Sequence, residues 1–471
     1  MQAKIFFGSN EAIKETFSER KSPFNGDIVS IAPVCDKSDA LKALKIAQEA
    51  AKVARASTLS QRCSWLLDVA KKLSEQKEDI AKTITDEVGK PISFSRVEVQ
   101  RCIETVTLAA ETMRTMAGET INTDAMESGK KTLSFFRREP VGVVVAITPF
   151  NFPLNLVAHK LAPALVAGNS VVLKPTPEAP LTSYKFAKLF IESEYAVENA
   201  LSVVYGDAEV GSALITSDIP RVISFTGSVP VGNIITKNAG IKKVGLELGG
   251  NAATFIEKSA DLALAASRCV LGAFVNSGQV CISLQRIYVQ DEIYDEFAIL
   301  MAQETKKLKV GSPYDDETFM GPLIDDEAAS RAMSWIENAI EEGAEPLLPP
   351  HREGRMFHPC VMANVTDDMA IVCEEVFAPI VSLVRVDNFD DALPRMNNSP
   401  YGLQFSVFTN DLSITNRAID ELEAGGIVIN DMPTLRFDIQ PYGGVKLSGV
   451  GREGPRFAIE EMTEIKSIVI C

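Results

Sequence analysis

An α/β architecture with two open parallel sheets, each in its own domain, is what this sequence predicts. Three observations carry that reading. The chain has 471 residues, too many for one simple core, so two or three domains are expected. From residue 141, short β-branched runs alternate with helical stretches, which is the pattern of a parallel sheet with crossover helices. After Gly250 the alternation starts again, which places a second sheet downstream of the first.

The elements follow in order. Residues 38–117 read as helices. Ser38 and Asp39 suit the cap of a helix running to Arg55, a second helix covers 60–88 and stops at Gly89 and Pro91, and a third covers 97–116 before Gly118. The first set of strands falls at 141–147, 170–174, 201–204, 221–225 and 243–248, with helices between at 153–166, 181–191, 209–215 and 231–239. The second set falls at 253–256, 286–290, 381–386, 404–408 and 427–430. Its helices are 262–274, 294–308, 326–341 and 412–423. The strand-like segments 133–138 and 465–470 fit neither sheet.

Composition excludes several function classes. The formal net charge is -16, which disfavours nucleic acid and anionic membranes as partners. No apolar stretch is long enough to span a bilayer, and the amino-terminal residues have no secretory pattern. Eight scattered cysteines without a CxxC read as free thiols in a reducing, cytoplasmic setting. Three histidines and no HExxH give no support for a metal site.

Chemistry concentrates in a few segments. In Phe274-Val-Asn-Ser-Gly-Gln-Val-Cys281 the thiol follows small and amide residues that make poor core material. Most free cysteines are inert core residues, but this setting presents a nucleophile. Upstream, Leu246-Glu247-Leu248-Gly249-Gly250 holds one carboxylate between apolar neighbours, which raise its pKa toward that of a useful base. In Ile147-Thr-Pro-Phe-Asn151-Phe-Pro153, two prolines pin the backbone around Asn151, whose amide could donate to an oxyanion. No GxGxxG is present. Instead Phe225-Thr-Gly-Ser-Val-Pro-Val-Gly232 follows a strand and opens a helix, a geometry suited to a pyrophosphate; on this motif alone a plain turn explains it equally well. Lys174-Pro-Thr-Pro-Glu178 stands at another strand end, where ligands of such sheets gather.

Together these segments resemble the aldehyde dehydrogenase family, over nearly the whole chain. Cys373-Glu-Glu375-Val-Phe377-Ala-Pro379 and Pro441-Tyr-Gly-Gly-Val-Lys-Leu-Ser-Gly449 add to the match, with Ala378 at a usual glycine. The resemblance implies two Rossmann-like domains: residues 1–119 and 140–248 for the cofactor, 249–446 for catalysis. Segments 120–139 and 459–471 would form a small sheet for a homodimer or homotetramer. It makes Cys281 the nucleophile, Glu247 the base and Asn151 the oxyanion donor, the thioester being hydrolysed.

For NAD or NADP it implies Ile147, Thr148, Pro149, Phe150, Lys174, Thr176, Pro177, Gly206, Gly211, Phe225, Thr226, Gly227, Ser228, Val231, Leu248, Gly249, Glu375 and Phe377. Many NAD-preferring members carry a glutamate where this chain has Pro177, so both cofactors stay open. The look is that of the lactaldehyde and non-phosphorylating glyceraldehyde-3-phosphate branch. A small hydroxylated or anionic aldehyde is the expected substrate, with His159, Arg101 and Arg436 as candidate contacts. A succinate-semialdehyde-type substrate and a coenzyme A-acylating reaction are the alternatives; acylating relatives generally lack the glutamate found here at 247.

Overall fold

Two parallel sheets face each other across a cleft. The computed structural model describes residues 1–471. In the first sheet the strands lie in the order Asn10–Ala12, Ile5–Phe7, Leu201–Val203, Ser170–Lys174, Val143–Ile147, Val222–Thr226, Lys243–Glu247, Gly449–Val450. The five central strands are parallel, while the amino-terminal pair and Gly449–Val450 close the edges in antiparallel fashion. Chain order reverses between Val143–Ile147 and Val222–Thr226. That reversal opens a crevice at the carboxyl ends, the usual ligand position in such sheets.

The second sheet runs Glu345–Pro346, Cys360–Ala363, Ile380–Val386, Leu284–Gln290, Ala252–Ile256, Gln404–Phe408, Gly426–Ile429. All neighbours are parallel except the first pair. Cys281 precedes Leu284–Gln290 and Glu375 precedes Ile380–Val386. Both therefore sit at amino ends of the second sheet, opposite the carboxyl ends of the first.

The predicted strands 170–174 and 404–408 and the helices 262–274 and 326–341 keep their bounds. Several other expectations need correction. The stretch 60–88 is two helices, Leu59–Glu75 and Lys77–Val88, parted at Gln76, whose φ of -106° and ψ of 15° leave the helical region. Apolar periodicity continues across the break, so sequence alone ran them together. The first helix, Lys37–Ala56, is capped by Asp36, not by Ser38 or Asp39. Asp36 accepts from the Ser38 and Asp39 N–H groups, and the Asp39 carboxylate reaches back to the Asp36 N–H, a reciprocal capping box. The third helix begins at Ile92, right after Pro91. Segments 133–138 and 465–470 belong to one antiparallel sheet, in which Leu133–Pro140 lies between Thr463–Ile470 and Glu119–Ile121. The helix Phe389–Asn397 was missed because Pro394 lies inside it.

One buried pair fixes the cleft wall. Glu98, on the helix Ile92–Thr115, pairs with the fully buried Lys90. Its Oε1 also accepts the N–H groups of Leu154 and Asn155, at 2.9 and 3.1 Å. The helix Asn155–Val166 has no side-chain cap of its own, so Glu98 serves as one and sets where Asn151 stands.

Replacing Glu98 with Ala leaves Lys90 buried and unpaired. The expected cost is about 3–5 kcal/mol, read as a lower denaturant midpoint, with part recovered when Lys90→Met is added.

Candidate active site

The cleft between the sheets holds a cavity of about 560 Å³. Cys281, Glu247 and Asn151 all line it. The loop before Cys281 is unusual: Asn276, Ser277 and Gly278 have φ of 52°, 56° and 72°. Three successive left-handed residues form a tight coil that L side chains rarely adopt. The coil is held from several sides. Ser277 Oγ donates to the Gly321 carbonyl at 2.9 Å, Gln279 Nε2 to the Asn276 carbonyl at 3.2 Å, and the Ile324 N–H to Gln279 Oε1 at 3.0 Å. A Cβ on Gly278 would stand 2.3 Å from the Ala378 carbonyl oxygen. Small residues before Cys281 therefore reflect geometry as well as exposure.

Cys281 Sγ lies 3.0 Å from the Tyr442 hydroxyl. Burial pushes the thiol up to about 11, while the Tyr442 hydrogen bond and the nearby Arg436 pull it back down. Its backbone N–H makes no hydrogen bond within the protein. Asn151 is buried; its Nδ2 donates to the Gln279 carbonyl at 3.1 Å and its Oδ1 accepts the Phe152 N–H at 3.1 Å. The second Nδ2 hydrogen is left over. Two donors thus stand free at the cavity that Cys281 lines.

Glu247 ends the strand Lys243–Glu247 and is buried, with Oε2 lacking any partner. Burial raises its pKa well above the ordinary carboxylate range, and Glu453 nearby adds to the rise. Glu375 rises to about 7, again through burial, with its Oε1 accepting the Gly250 N–H at 3.0 Å.

In and behind the wall is a set of charges whose pairing the sequence did not reveal. Arg101 holds Asp438 with two hydrogen bonds, at 3.0 and 2.8 Å. Arg436 meets Glu453 at 3.1 Å and Asp438 at 3.4 Å, and Lys160 meets Glu453 at 3.2 Å. Burial alone would raise Asp438, but the His159 and Arg101 hydrogen bonds hold it far below the usual range. Arg101 and Arg436 line the cavity; His159 does not. His159 is buried with Nε2 3.0 Å from Asp438 Oδ1, one layer back. Asp438, Glu453, Lys160 and Tyr442 carried no site signal individually, although Tyr442 lies in a motif that added to the family resemblance.

The residues expected at a dinucleotide divide in two. Pro149, Phe150, Thr226, Gly227, Ser228, Leu248, Gly249, Glu375 and Phe377 line the cavity. Ile147, Thr148, Lys174, Thr176 and Pro177 lie outside it, at or just after the carboxyl ends of two adjacent strands. Gly206 has φ of 139°, Gly211 packs against the Lys174 stem, and Val231 is exposed on the helix Val229–Asn238. The fit to a dinucleotide is good. Ser228 begins that helix without spending its hydroxyl on a cap, and Thr226 Oγ1 is buried without a partner. Lys174 is buried with no carboxylate in contact, and burial lowers its pKa.

Comparison with known proteins fits this geometry. The aldehyde dehydrogenase family model matches residues 9–468. The chain belongs to that family. It is an NAD(P)-dependent oxidoreductase of aldehydes. It is 44% identical over 440 residues to a 3-sulfolactaldehyde dehydrogenase of Priestia aryabhattai, covering 93% of this chain and 91% of that one. It is 40% identical over 468 residues to a lactaldehyde dehydrogenase of Methanococcus aeolicus, covering 98% and 99%. An NADP-dependent glyceraldehyde-3-phosphate dehydrogenase from Bacillus halodurans, solved with NADP, superposes with a TM-score of 0.97 at 33% identity, covering 100% and 99%.

Gly278→Ala tests the coil in this aldehyde dehydrogenase. Backbone strain and the clash with a carbonyl are expected to cost about 2 kcal/mol or more. Gly343→Ala, at φ 105° with open space around it, is expected to cost less in the same chemical denaturation.

Proposed function

We propose that this protein oxidises a small hydroxylated or anionic aldehyde to its carboxylic acid through a thioester on Cys281 that water then hydrolyses. The observation that carries this reading is the meeting of a sulfur, an unpartnered carboxylate and free amide donors in one cavity. Cys281 as thiolate adds to the aldehyde carbon. The Cys281 N–H and the free Asn151 Nδ2 hydrogen receive the oxyanion. NAD(P), when bound, supplies the hydride acceptor. Phe150, Gly249, Glu375 and Phe377 would hold its nicotinamide end and Ser228 its pyrophosphate, with Lys174 and Thr176 toward the adenosine. Oxidation at that carbon leaves a thioester, and Glu247 takes the proton of the attacking water. A hydrolytic base at 247 supports acid as the product rather than an acyl-coenzyme A.

Charge in and behind the cavity wall supports the substrate class. Arg101, Arg436 and Lys160 face Asp438 and Glu453, three cations to two carboxylates. Nη1 of Arg101 and of Arg436 has no partner, so each guanidinium keeps N–H donors for a hydroxyl, carboxylate, phosphate or sulfonate. The relatives named for 3-sulfolactaldehyde and lactaldehyde agree with that. Pro177 is exposed in a turn and brings no charge against a 2′-phosphate, so both cofactors are accepted. The segments 120–139 and 459–471 are assigned to homo-oligomer assembly, and the domain division expected from sequence is kept.

An aldehyde panel with each cofactor, read by reduced-nicotinamide absorbance, tests the substrate class. Lactaldehyde, 3-sulfolactaldehyde and glyceraldehyde 3-phosphate are expected to outpace simple alkanals at least tenfold in kcat/KM. Equal rates would refute the substrate class. Cys281→Ala is the control, with turnover lost and cofactor binding kept.

The pH dependence of deacylation follows from Glu247. Its carboxyl holds its proton below the raised pKa and releases it above, so thioester hydrolysis is expected to climb as pH rises through that value. Glu247→Gln is expected to remove the climb and to show one fast turnover followed by slow release. A normal steady rate without that burst would exclude the base role.

A further inference from the structure

Tyr442 is unlike the other residues around the sulfur. Its neighbours in the small apolar cluster there are Val280, Ile282 and Leu403, which offer no polar group. Its hydroxyl stands 3.0 Å from Sγ and bonds no other protein atom. The residue is buried and lines the cavity, and Sγ is the one protein partner that its hydroxyl finds there. The Arg436 guanidinium lies over the ring, 3.6 Å from its centroid. A cation on the π-face draws electron density from the ring and makes the phenol a better donor. Arg436 is itself fixed by Glu453 and Asp438.

We propose that Tyr442 is a further catalytic residue, whose phenol O–H donates the hydrogen bond that stabilises the Cys281 thiolate. The direction of donation follows from the groups present. A thiolate is an acceptor only, so the phenol must donate. Burial, and then the neighbouring Cys281, hold the phenol well above its ordinary pKa, so it keeps its proton while the thiol gives its own to solvent. The charges facing the sulfur are few. Arg436 favours the anion; Glu375 and Glu247 oppose it. Glu247 disfavours the anion only once it has ionised. The phenol is the one donor in direct contact with Sγ, in a cavity whose burial otherwise keeps the thiol protonated. When the sulfur bonds to carbon it stops being an anion, and the hydrogen bond weakens. Stabilisation is thus given to the free nucleophile and withdrawn from the adduct.

The proposal rests on Cys281 being the nucleophile. Its test uses neither aldehyde nor cofactor, so its failure leaves the dehydrogenase reading standing. In the full-length protein, alkylation of Cys281 by iodoacetamide is followed by peptide mass spectrometry from neutral to alkaline pH. Cys373, which is exposed, serves as the internal reference. Tyr442→Phe keeps the packing and removes the donor. The Cys281 midpoint is expected to rise by about one pH unit, a tenfold loss of thiolate at a given pH below it, with Cys373 unchanged. An unchanged or lowered Cys281 midpoint would overturn the proposal. A second arm places 3-fluorotyrosine at 442, the same shape with a more acidic phenol. There the Cys281 midpoint is expected to fall, and no change or a rise would overturn the proposal even where the Phe variant fails to fold.

Discussion

The buried charges behind the cavity wall are the interaction on which the rest of the site depends. Asp438 and Glu453 are each shared between two cations, with His159 on Asp438 as well. Such groups are costly to desolvate singly, and removing one strands the others at several kcal/mol. The set therefore holds together or fails together. Three consequences reach the cavity from it. Arg436 is held over the Tyr442 ring, Arg101 is held in the cavity lining, and Glu453 keeps Glu247 protonated more readily than burial alone would.

The proposed nucleophile and the proposed base are governed by opposite devices. Cys281 is presented by backbone geometry, through three left-handed residues and a glycine pressed against a carbonyl. Glu247 is governed by what it lacks, since one of its oxygens has no partner. A partner there would hold the carboxylate ionised and dull it as a base. The two groups come from different sheets, and the chain that leaves Glu247 passes through Gly249 and Gly250 straight into the second sheet. A Cβ at Gly250 would meet the Cys281 carbonyl oxygen at 2.2 Å, so that glycine is what allows the two halves of the site to close on each other.

Much of this was legible in sequence, for identifiable reasons. Strands such as Ser170–Lys174 and Gln404–Phe408 are buried along their whole length and bounded by turns, so composition alone marked them. Cys281 follows small and amide residues that make poor core material, while Glu247 and Asn151 are single polar groups set among apolar residues. The break at Gln76 was invisible because periodicity does not record a single departure in φ and ψ. His159, expected as a substrate contact, lies one layer back, because whether the ring entered the cavity depended on Asp438, nearly 280 residues away. The pairing of Arg436 with Glu453 and of Tyr442 with Cys281 was hidden for the same reason. Contacts between distant segments leave no local trace.

Gly449–Val450 pairs with Lys243–Glu247 and closes the edge of the first sheet, and the Leu248 N–H donates to the Ser448 carbonyl at 2.9 Å. The same late stretch supplies Arg436, Asp438, Tyr442 and Glu453. During synthesis these residues leave the ribosome after every other strand of both sheets. A half-made chain can thus assemble the dinucleotide side of the cleft while its sulfur still lacks the phenol and the guanidinium beside it. The hydrogen bond to the sulfur therefore forms last, when almost the whole fold is in place around it.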